Sequence, residues 1–157
     1  MLYLDIHNNN ISNTTGNGIL STIRSADGTG IFHIENNTVV KPTGTSEEGI
    51  RVDSGNGGEA TGATVCLKID GNTTEGSSNT SGTIKFPGIG LRQQHVAPVA
   101  IFRIDGLSPD PSNDAQMEAY VGNAGQNPGS VNGTFGATGS ASISGGATFT
   151  AATCTIP

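Results

Sequence analysis

The sequence predicts an all-β protein whose chain winds into stacked coils, a β-solenoid. Three observations point to this fold class: short strand-like clusters between turn residues, a repeated segment with asparagine, and a composition unsuited to helices. Of the 157 residues, 24 are glycine, and charged residues make up 13% of the chain, against about 25% in a typical globular domain. Helical bundles and Rossmann-type domains, which need long helices rich in Ala, Leu, Glu and Lys, are therefore not expected.

Four apolar and β-branched clusters predict the strands. Each cluster is bounded by Gly, Asn, Asp or Pro, and together they cover residues 4–6, 31–34, 65–69 and 99–104. Short apolar or alternating runs between turn residues are typical of β-strands. We therefore expect a folded chain of short strands and polar turns, although its Gly and Pro content approaches that of disordered segments.

A repeated segment in the first ninety residues predicts the stacking. Ile6 precedes Asn9, Ile34 precedes Asn37, and Ile69 precedes Asn72, each by three positions. If each repeat is one coil, the isoleucines stack in a narrow core with strands roughly 4.8 Å apart. The asparagines then lie at one corner, where their side chains can hydrogen-bond along the stack. We expect Asn9, Asn37 and Asn72 to form this internal ladder and not a ligand site.

The chain after Gln94 departs from the repeat and predicts a cap. A turn at 108–111 leads into one short helix, on which Met117, Tyr120 and Val121 share an apolar face. The last coil of a solenoid exposes its core and needs covering, so this face is expected to pack against it.

The predicted organisation is therefore about three coils over residues 1–94 and a capping strand, helix and hairpin tail over residues 95–157. In the tail, alternating small polar and apolar residues predict one or two β-hairpins. The alternative for residues 129–147 is a flexible Gly/Ser/Thr linker.

The sequence contains two cysteines, Cys66 and Cys154. Scarce charge and abundant Ser, Thr and Asn fit an extracellular setting, where the two can pair, but two separate buried thiols are the alternative. A bond would close a loop of nearly 90 residues and stabilise the fold by about 4–5 kcal/mol in the chain-entropy model.

Two longer patterns resemble known bacterial proteins. Ile34-Glu35-Asn36-Asn37-Thr38-Val39, followed by Gly49-Ile50-Arg51-Val52, resembles right-handed parallel β-helix proteins. The run from Thr64 to Asn72, with Leu91-Arg92-Gln93-Gln94, Phe102-Arg103-Ile104 and Asn127-Pro128-Gly129, is similar to the C-terminal portion of secreted or surface β-strand-repeat proteins. The resemblance implies a right-handed parallel β-helix at an extracellular or cell-surface location, and it supplies no catalytic motif.

Candidate chemical groups are few. Glu47, Glu48, Asp53 and Glu59 cluster around one strand, as in β-helices that cleave polysaccharides through acid–base chemistry or a bound calcium ion. Strand alternation predicts Glu48, Ile50 and Val52 on one face, with Arg51 and Asp53 on the other. We expect these acids to be solvated charges at a turn, although calcium binding remains an alternative. Asp27 is expected to be a turn residue. The histidines His7, His33 and His95 are expected at the surface, because the sequence shows no third ligand that would complete a zinc site.

Charge and composition restrict the function classes. A net charge of −6 with only seven Lys and Arg disfavours nucleic-acid binding, and no apolar window is long enough for a membrane span. The sequence therefore predicts a non-enzymatic structural or adhesive module whose partners are upstream solenoid repeats or other copies of itself. The alternative is a carbohydrate-active β-helix or glycan binder, although the chain has no tryptophan for sugar stacking. No catalytic or cofactor-binding residues are predicted.

Overall fold

The computed structural model describes residues 1–23, 28–45, 47–54, 63–77, 88–93, 101–106, 141–144 and 148–157. Within these residues the protein is all-β, with twelve strands and no helix. The strands form three sheets, in which every neighbouring pair is parallel.

Each sheet collects strands from distant parts of the chain. Sheet I contains, in spatial order, β1 (Leu2–His7), β4 (Thr29–Glu35), β7 (Thr64–Asp70), β10 (Ile101–Asp105) and β12 (Thr148–Ala152). Sheet II contains β2 (Asn10–Ile11), β5 (Thr38–Val39) and β8 (Thr73–Thr74). Sheet III contains β3 (Ile19–Ile23), β6 (Ile50–Ser54), β9 (Ile89–Gln93) and β11 (Ala141–Ser144).

The chain visits the three sheets in the same order three times. We call the strands β1–β3 rung 1, β4–β6 rung 2 and β7–β9 rung 3. Parallel neighbours cannot be joined by a tight hairpin and need a crossover connection. In this chain the crossover between two strands of sheet I runs through sheets II and III, so the strand order itself explains the parallel pairing.

The register confirms the alignment of isoleucines that the sequence predicts. Ile6 lies opposite Ile34, and Ile34 lies opposite Ile69. Ile34 and Ile69 are fully buried, whereas Ile6 is half-buried. The difference arises because rung 1 has a neighbouring rung on one side only within the described residues.

The core consists of the inward-facing side chains of the sheets. Alternation along each strand places every second residue inside. The largest fully buried side chains are Phe32, Phe102, Ile34, Ile50, Leu67, Ile69, Ile89, Leu91, Ile104, Val39 and Val52. Burying one such side chain contributes about 1.5–3 kcal/mol relative to leaving it exposed, so stacking of rungs supplies the main stabilising force.

One corner of the fold explains the choice of turn residues. Asn8, Asn36 and Gly71 follow the last strand residues of β1, β4 and β7, and their φ angles are 58°, 55° and 64°. Asparagine and glycine tolerate this left-handed conformation better than other residues. A side chain at Gly71 would also overlap the side-chain oxygen of Asn36, so the close approach favours glycine over asparagine at this position.

The strands after residue 94 differ from the predicted cap. β10 pairs in parallel with β7, β12 with β10, and β11 with β9. The two tail strands β11 and β12 therefore lie in different sheets and do not pair as a hairpin. Alternation predicts that a segment is a strand but not which edge it joins, and here the open edges of β9 and β10 accept them.

The predicted helix is not supported. No helix is present in the described part of the chain. Met117, Tyr120 and Val121, on which the predicted cap contact depends, lie outside the described residues.

Candidate functional site

Hydrogen bonds join the three asparagines Asn9, Asn37 and Asn72 across the rungs. Asn9 donates to the side-chain Oδ1 of Asn37 from its backbone N (3.1 Å) and its Nδ2 (2.9 Å). Asn37 donates to Oδ1 of Asn72 in the same way, at 3.0 Å from each nitrogen. The Nδ2 groups of Asn37 and Asn72 also donate to the backbone carbonyls of Ile6 and Ile34. We call these three residues the asparagine ladder.

The asparagine ladder has a direction. Oδ1 of Asn37 and Oδ1 of Asn72 each accept two hydrogen bonds from the rung that precedes them in the chain. Asn37 and Asn72 are 1% and 0% exposed, whereas Asn9 is exposed. No described residue donates to Oδ1 of Asn9, so the ladder ends at rung 1 with an acceptor open to solvent.

The other residues of rung 1 are also incompletely covered on the side that faces away from rung 2. Within the described sheets, β1 pairs with β4 and with no other strand. Its inward residues Leu4 and Ile6, with Ile11 of β2, are only half-buried, and Leu2 and Tyr3 are exposed. We call the surface formed by Leu4, Ile6, Ile11, Asn9 and the free edge of β1 the rung 1 face.

A charged cluster lies on the outer side of sheet I. Lys68 Nζ lies 2.7 Å from Glu35 Oε1, and His33 Nδ1 lies 3.6 Å from Glu35 Oε2. Asp70 shares a hydrogen bond with Glu35. Burial and this bond raise the pKa of Asp70. Burial alone would raise the pKa of Glu35 too, but the hydrogen bonds with Lys68 and Asp70 outweigh it and lower that pKa.

Of the pair, Glu35 therefore loses its proton at lower pH than Asp70, and Lys68 lies against the charge on Glu35. The hydrogen bond with Glu35 raises the pKa of Lys68 for the same reason. Glu35, Lys68 and Asp70 are not among the functional residues predicted from the sequence. A signal was available, because Glu35 and Asp70 each follow a stacked isoleucine and so fall in register.

The C-terminal tail folds back over this outer side. A disulfide bond joins Cys154 to Cys66 of β7 across 88 positions, so of the two alternatives the pairing is the one present. Asp105 Oδ2 of β10 accepts a hydrogen bond from the backbone N of Cys154 at 2.8 Å, and His33 Nε2 of β4 donates to its carbonyl at 2.6 Å. One residue thus ties three neighbouring strands together. Disulfides of this kind are typical of oxidising compartments.

On sheet III, Asp53 is buried, and the prediction of a solvated charge at a turn is wrong for it. Its side chain is 3% exposed and accepts a hydrogen bond from Arg51 Nε at 2.9 Å. Arg92 of β9 makes two further bonds, from Nε at 3.2 Å and from Nη2 at 3.0 Å. The prediction failed because Arg92, 39 positions away, comes alongside Asp53 only through the pairing of β6 with β9.

Glu48 also lies elsewhere than predicted. Its carboxylate is 3.8 Å from the Arg51 guanidinium, on the side of Arg51 and Asp53 and not with Ile50 and Val52. Strand alternation does not apply to it because β6 begins at Ile50. Its Oε2 is buried without a hydrogen-bond partner, and burial raises its pKa despite the neighbouring Arg51.

The remaining candidates form no metal-binding group in the described part of the chain. His7 lies on the exposed surface 3.8 Å from Asp5, and its register partner is Glu35 and not His33. Glu59, Asp27 and His95 lie outside the described residues. Where the structure describes the chain, no three His, Cys, Asp or Glu side chains are grouped to hold a metal ion.

Comparisons with known proteins add no relative. No family model, no curated protein and no solved structure matches the chain significantly. No helix in the described ranges is long and apolar enough to cross a membrane.

Proposed function

We propose that this protein is a non-enzymatic β-solenoid module of an extracellular or bacterial cell surface. In this proposal the three parallel sheets are the faces of a right-handed parallel β-helix. The module supplies a rigid surface or filament scaffold through strand-to-strand contacts. The single observation that carries the proposal is the rung 1 face, where a strand edge, half-buried core residues and an open asparagine acceptor coincide.

Rung stacking supports a mechanical role. Backbone hydrogen bonds and matched apolar side chains repeat from rung to rung, so bending the stack would break many contacts at once. Two contacts between distant segments of the chain add to this rigidity: the disulfide bond of Cys66 to Cys154, and the ion pair of Arg92 with Asp53. An exposed sheet edge in such a stack is a template for another strand.

An extracellular or surface location agrees with the disulfide. Such bonds persist where the environment is oxidising and are rare in the cytosol. The proposed partners are further solenoid repeats, other copies of the chain and a surface glycan.

The alternative, a carbohydrate-active β-helix, finds less support in the geometry. Glycosidases hold two carboxyl groups about 5–5.5 Å apart when they retain configuration and about 6.5–9.5 Å apart when they invert it. Glu35 and Asp70 instead bond directly to each other, with Lys68 against Glu35. This arrangement leaves no room for a sugar or a water between them.

Two measurements on the oxidised, purified chain test the proposal. Sedimentation velocity over a range of concentrations should show association that Ile6→Lys abolishes, because the substitution places a charge on the rung 1 face. His7→Lys, on the outer side of the same strand, is the matched control and should leave association intact. Incubation with acidic and neutral polysaccharides should release no reducing ends. Release that disappears in Glu35→Gln would overturn the structural role in favour of the enzyme.

A further inference from the structure

We propose that the rung 1 face binds one kind of partner: a parallel β-strand with the pattern apolar-x-apolar-x-x-Asn. This inference rests on the proposed function and specifies the chemistry of its contact. The same pattern occurs three times in the chain, as Leu4, Ile6 and Asn9, as Phe32, Ile34 and Asn37, and as Leu67, Ile69 and Asn72.

The molecule already contains two copies of the proposed contact. Between rungs 1 and 2, Leu4 lies opposite Phe32 and Ile6 opposite Ile34, and Asn9 donates twice to Asn37. Between rungs 2 and 3 the contacts repeat as Phe32 with Leu67, Ile34 with Ile69 and Asn37 with Asn72. Each rung therefore recognises the next through two inward apolar pairs and one asparagine pair.

Rung 1 presents the unused half of this contact. Leu4 and Ile6 are half-buried, so a further strand would complete their burial. Oδ1 of Asn9 accepts no hydrogen bond from a described residue, whereas Oδ1 of Asn37 and Oδ1 of Asn72 each accept two from the preceding rung. An incoming asparagine would donate its backbone N and its Nδ2 to that oxygen. A leucine or a carboxylate in its place would lack the Nδ2 donor.

The direction of the asparagine ladder fixes the orientation of the partner. Both donors reach the acceptor only when the two strands are parallel and in register, because the asparagine follows the second apolar residue by three positions in each. Two copies of β1 related by a two-fold axis would run antiparallel and place their asparagines at opposite ends of the contact. The partner is therefore a strand presented by a different segment, and not the same edge of a second copy.

Charges on the outer side favour a particular version of the pattern. Asp5 and His7 lie between and after the apolar residues of β1, and both are exposed. The corresponding residues in β7 are Lys68 and Asp70. A strand with the β7 sequence would place a lysine opposite Asp5, so opposite charges meet there, and an aspartate opposite His7.

The test uses a fluorescent synthetic peptide with the sequence of residues 64–75 and serine in place of Cys66. Its anisotropy is measured against the full chain, and a second peptide carries Asn72→Asp. The first peptide is expected to bind, and the second is expected to bind at least about tenfold more weakly, because the Nδ2 donor is lost and a carboxylate replaces it beside Oδ1 of Asn9.

Variants of the full chain locate the site. Asn9→Ala removes the acceptor and should weaken binding of the first peptide to the level of the second. Asn10→Ala, an exposed neighbour in β2, is the matched control and should bind like the wild type. Thermal unfolding of each variant shows whether it remains folded.

The outcomes separate this inference from the proposed function. Equal binding of the two peptides would overturn the role of asparagine while leaving strand addition in place. Binding of neither peptide, with association of copies still blocked by Ile6→Lys, would overturn this choice of partner but not the structural role. Loss of both would overturn the rung 1 face as a contact surface.

Discussion

Asn37 and Asn72 are joined by two hydrogen bonds to a single oxygen, from the backbone N and the Nδ2 of Asn37 to Oδ1 of Asn72. Both residues are buried, so these polar groups have exchanged water for each other. A slip of one residue between β4 and β7 would break both bonds and turn the apolar side chains outward. The asparagine ladder therefore fixes the register of the rungs and also provides hydrogen-bond partners for the buried polar groups at this corner.

Replacement of the central asparagine tests this role. Asn37→Ala removes the acceptor of both Asn9 donors and one of the two donors to the buried Oδ1 of Asn72, and we expect the free energy of unfolding to fall by about 2–3 kcal/mol. Urea denaturation followed by circular dichroism gives the value. Asn10→Ala, at an exposed position of the neighbouring strand, should change it by less than about 0.5 kcal/mol. Equal effects of the two substitutions would contradict a structural ladder.

Removal of the disulfide tests how far the link between Cys154 and Cys66 stabilises the fold. The double variant Cys66→Ser, Cys154→Ser should lose about 2–5 kcal/mol of unfolding free energy, because the unfolded chain is no longer cross-linked over a long loop. Wild-type protein unfolded under reducing conditions should give the same value within error. A loss below about 0.5 kcal/mol would show that the bond does not constrain the chain as this reasoning requires.

Asp53 provides a test of the cross-rung ion pairs. Asp53→Asn removes the negative charge between Arg51 and Arg92, whose side chains are 17% and 39% exposed. Because the arginines retain some contact with water, we expect a loss of about 1–3 kcal/mol, less than for a fully buried pair. The matched control is Asp5→Asn, whose partner His7 is exposed, and its effect should stay within about 0.5 kcal/mol. If Asp53→Asn lowers the free energy of unfolding no more than its control does, the ion pairs of Asp53 do not stabilise the fold.

The pH dependence of stability tests the burial of Glu48. Burial raises its pKa above the ordinary value of 4.5, so the folded state favours the protonated acid. The resulting contribution is fully present below the ordinary pKa and is lost as the pH rises through the pKa of the folded state.

The variant Glu48→Gln has no ionisable group at this position, so its free energy of unfolding does not fall for this reason as the pH rises. The unfolding free energy of the wild type relative to the variant should therefore decrease between about pH 4 and about pH 7. Urea denaturation of both proteins at several pH values across this range measures the difference. A difference that is constant or grows with pH would be inconsistent with a raised pKa.

The sequence alone predicted several of the strands and the alignment of the repeated isoleucines, because both depend on patterns that repeat along the chain. Ile6, Ile34 and Ile69 align as expected, and the asparagines that follow them meet at one corner. Strand alternation and turn preference act over a few residues, so a single chain displays them directly.

Only the tertiary structure decided which distant groups meet. The spacing between rungs varies, so nothing local shows that Arg92 comes alongside Asp53 or that Cys154 reaches Cys66. The same holds for β11 and β12, whose alternating pattern suits a hairpin equally well but which pair in parallel with β9 and β10. Such pairings depend on the register of whole rungs and on the path of the connections between them, and these are properties of the folded stack and not of any segment within it.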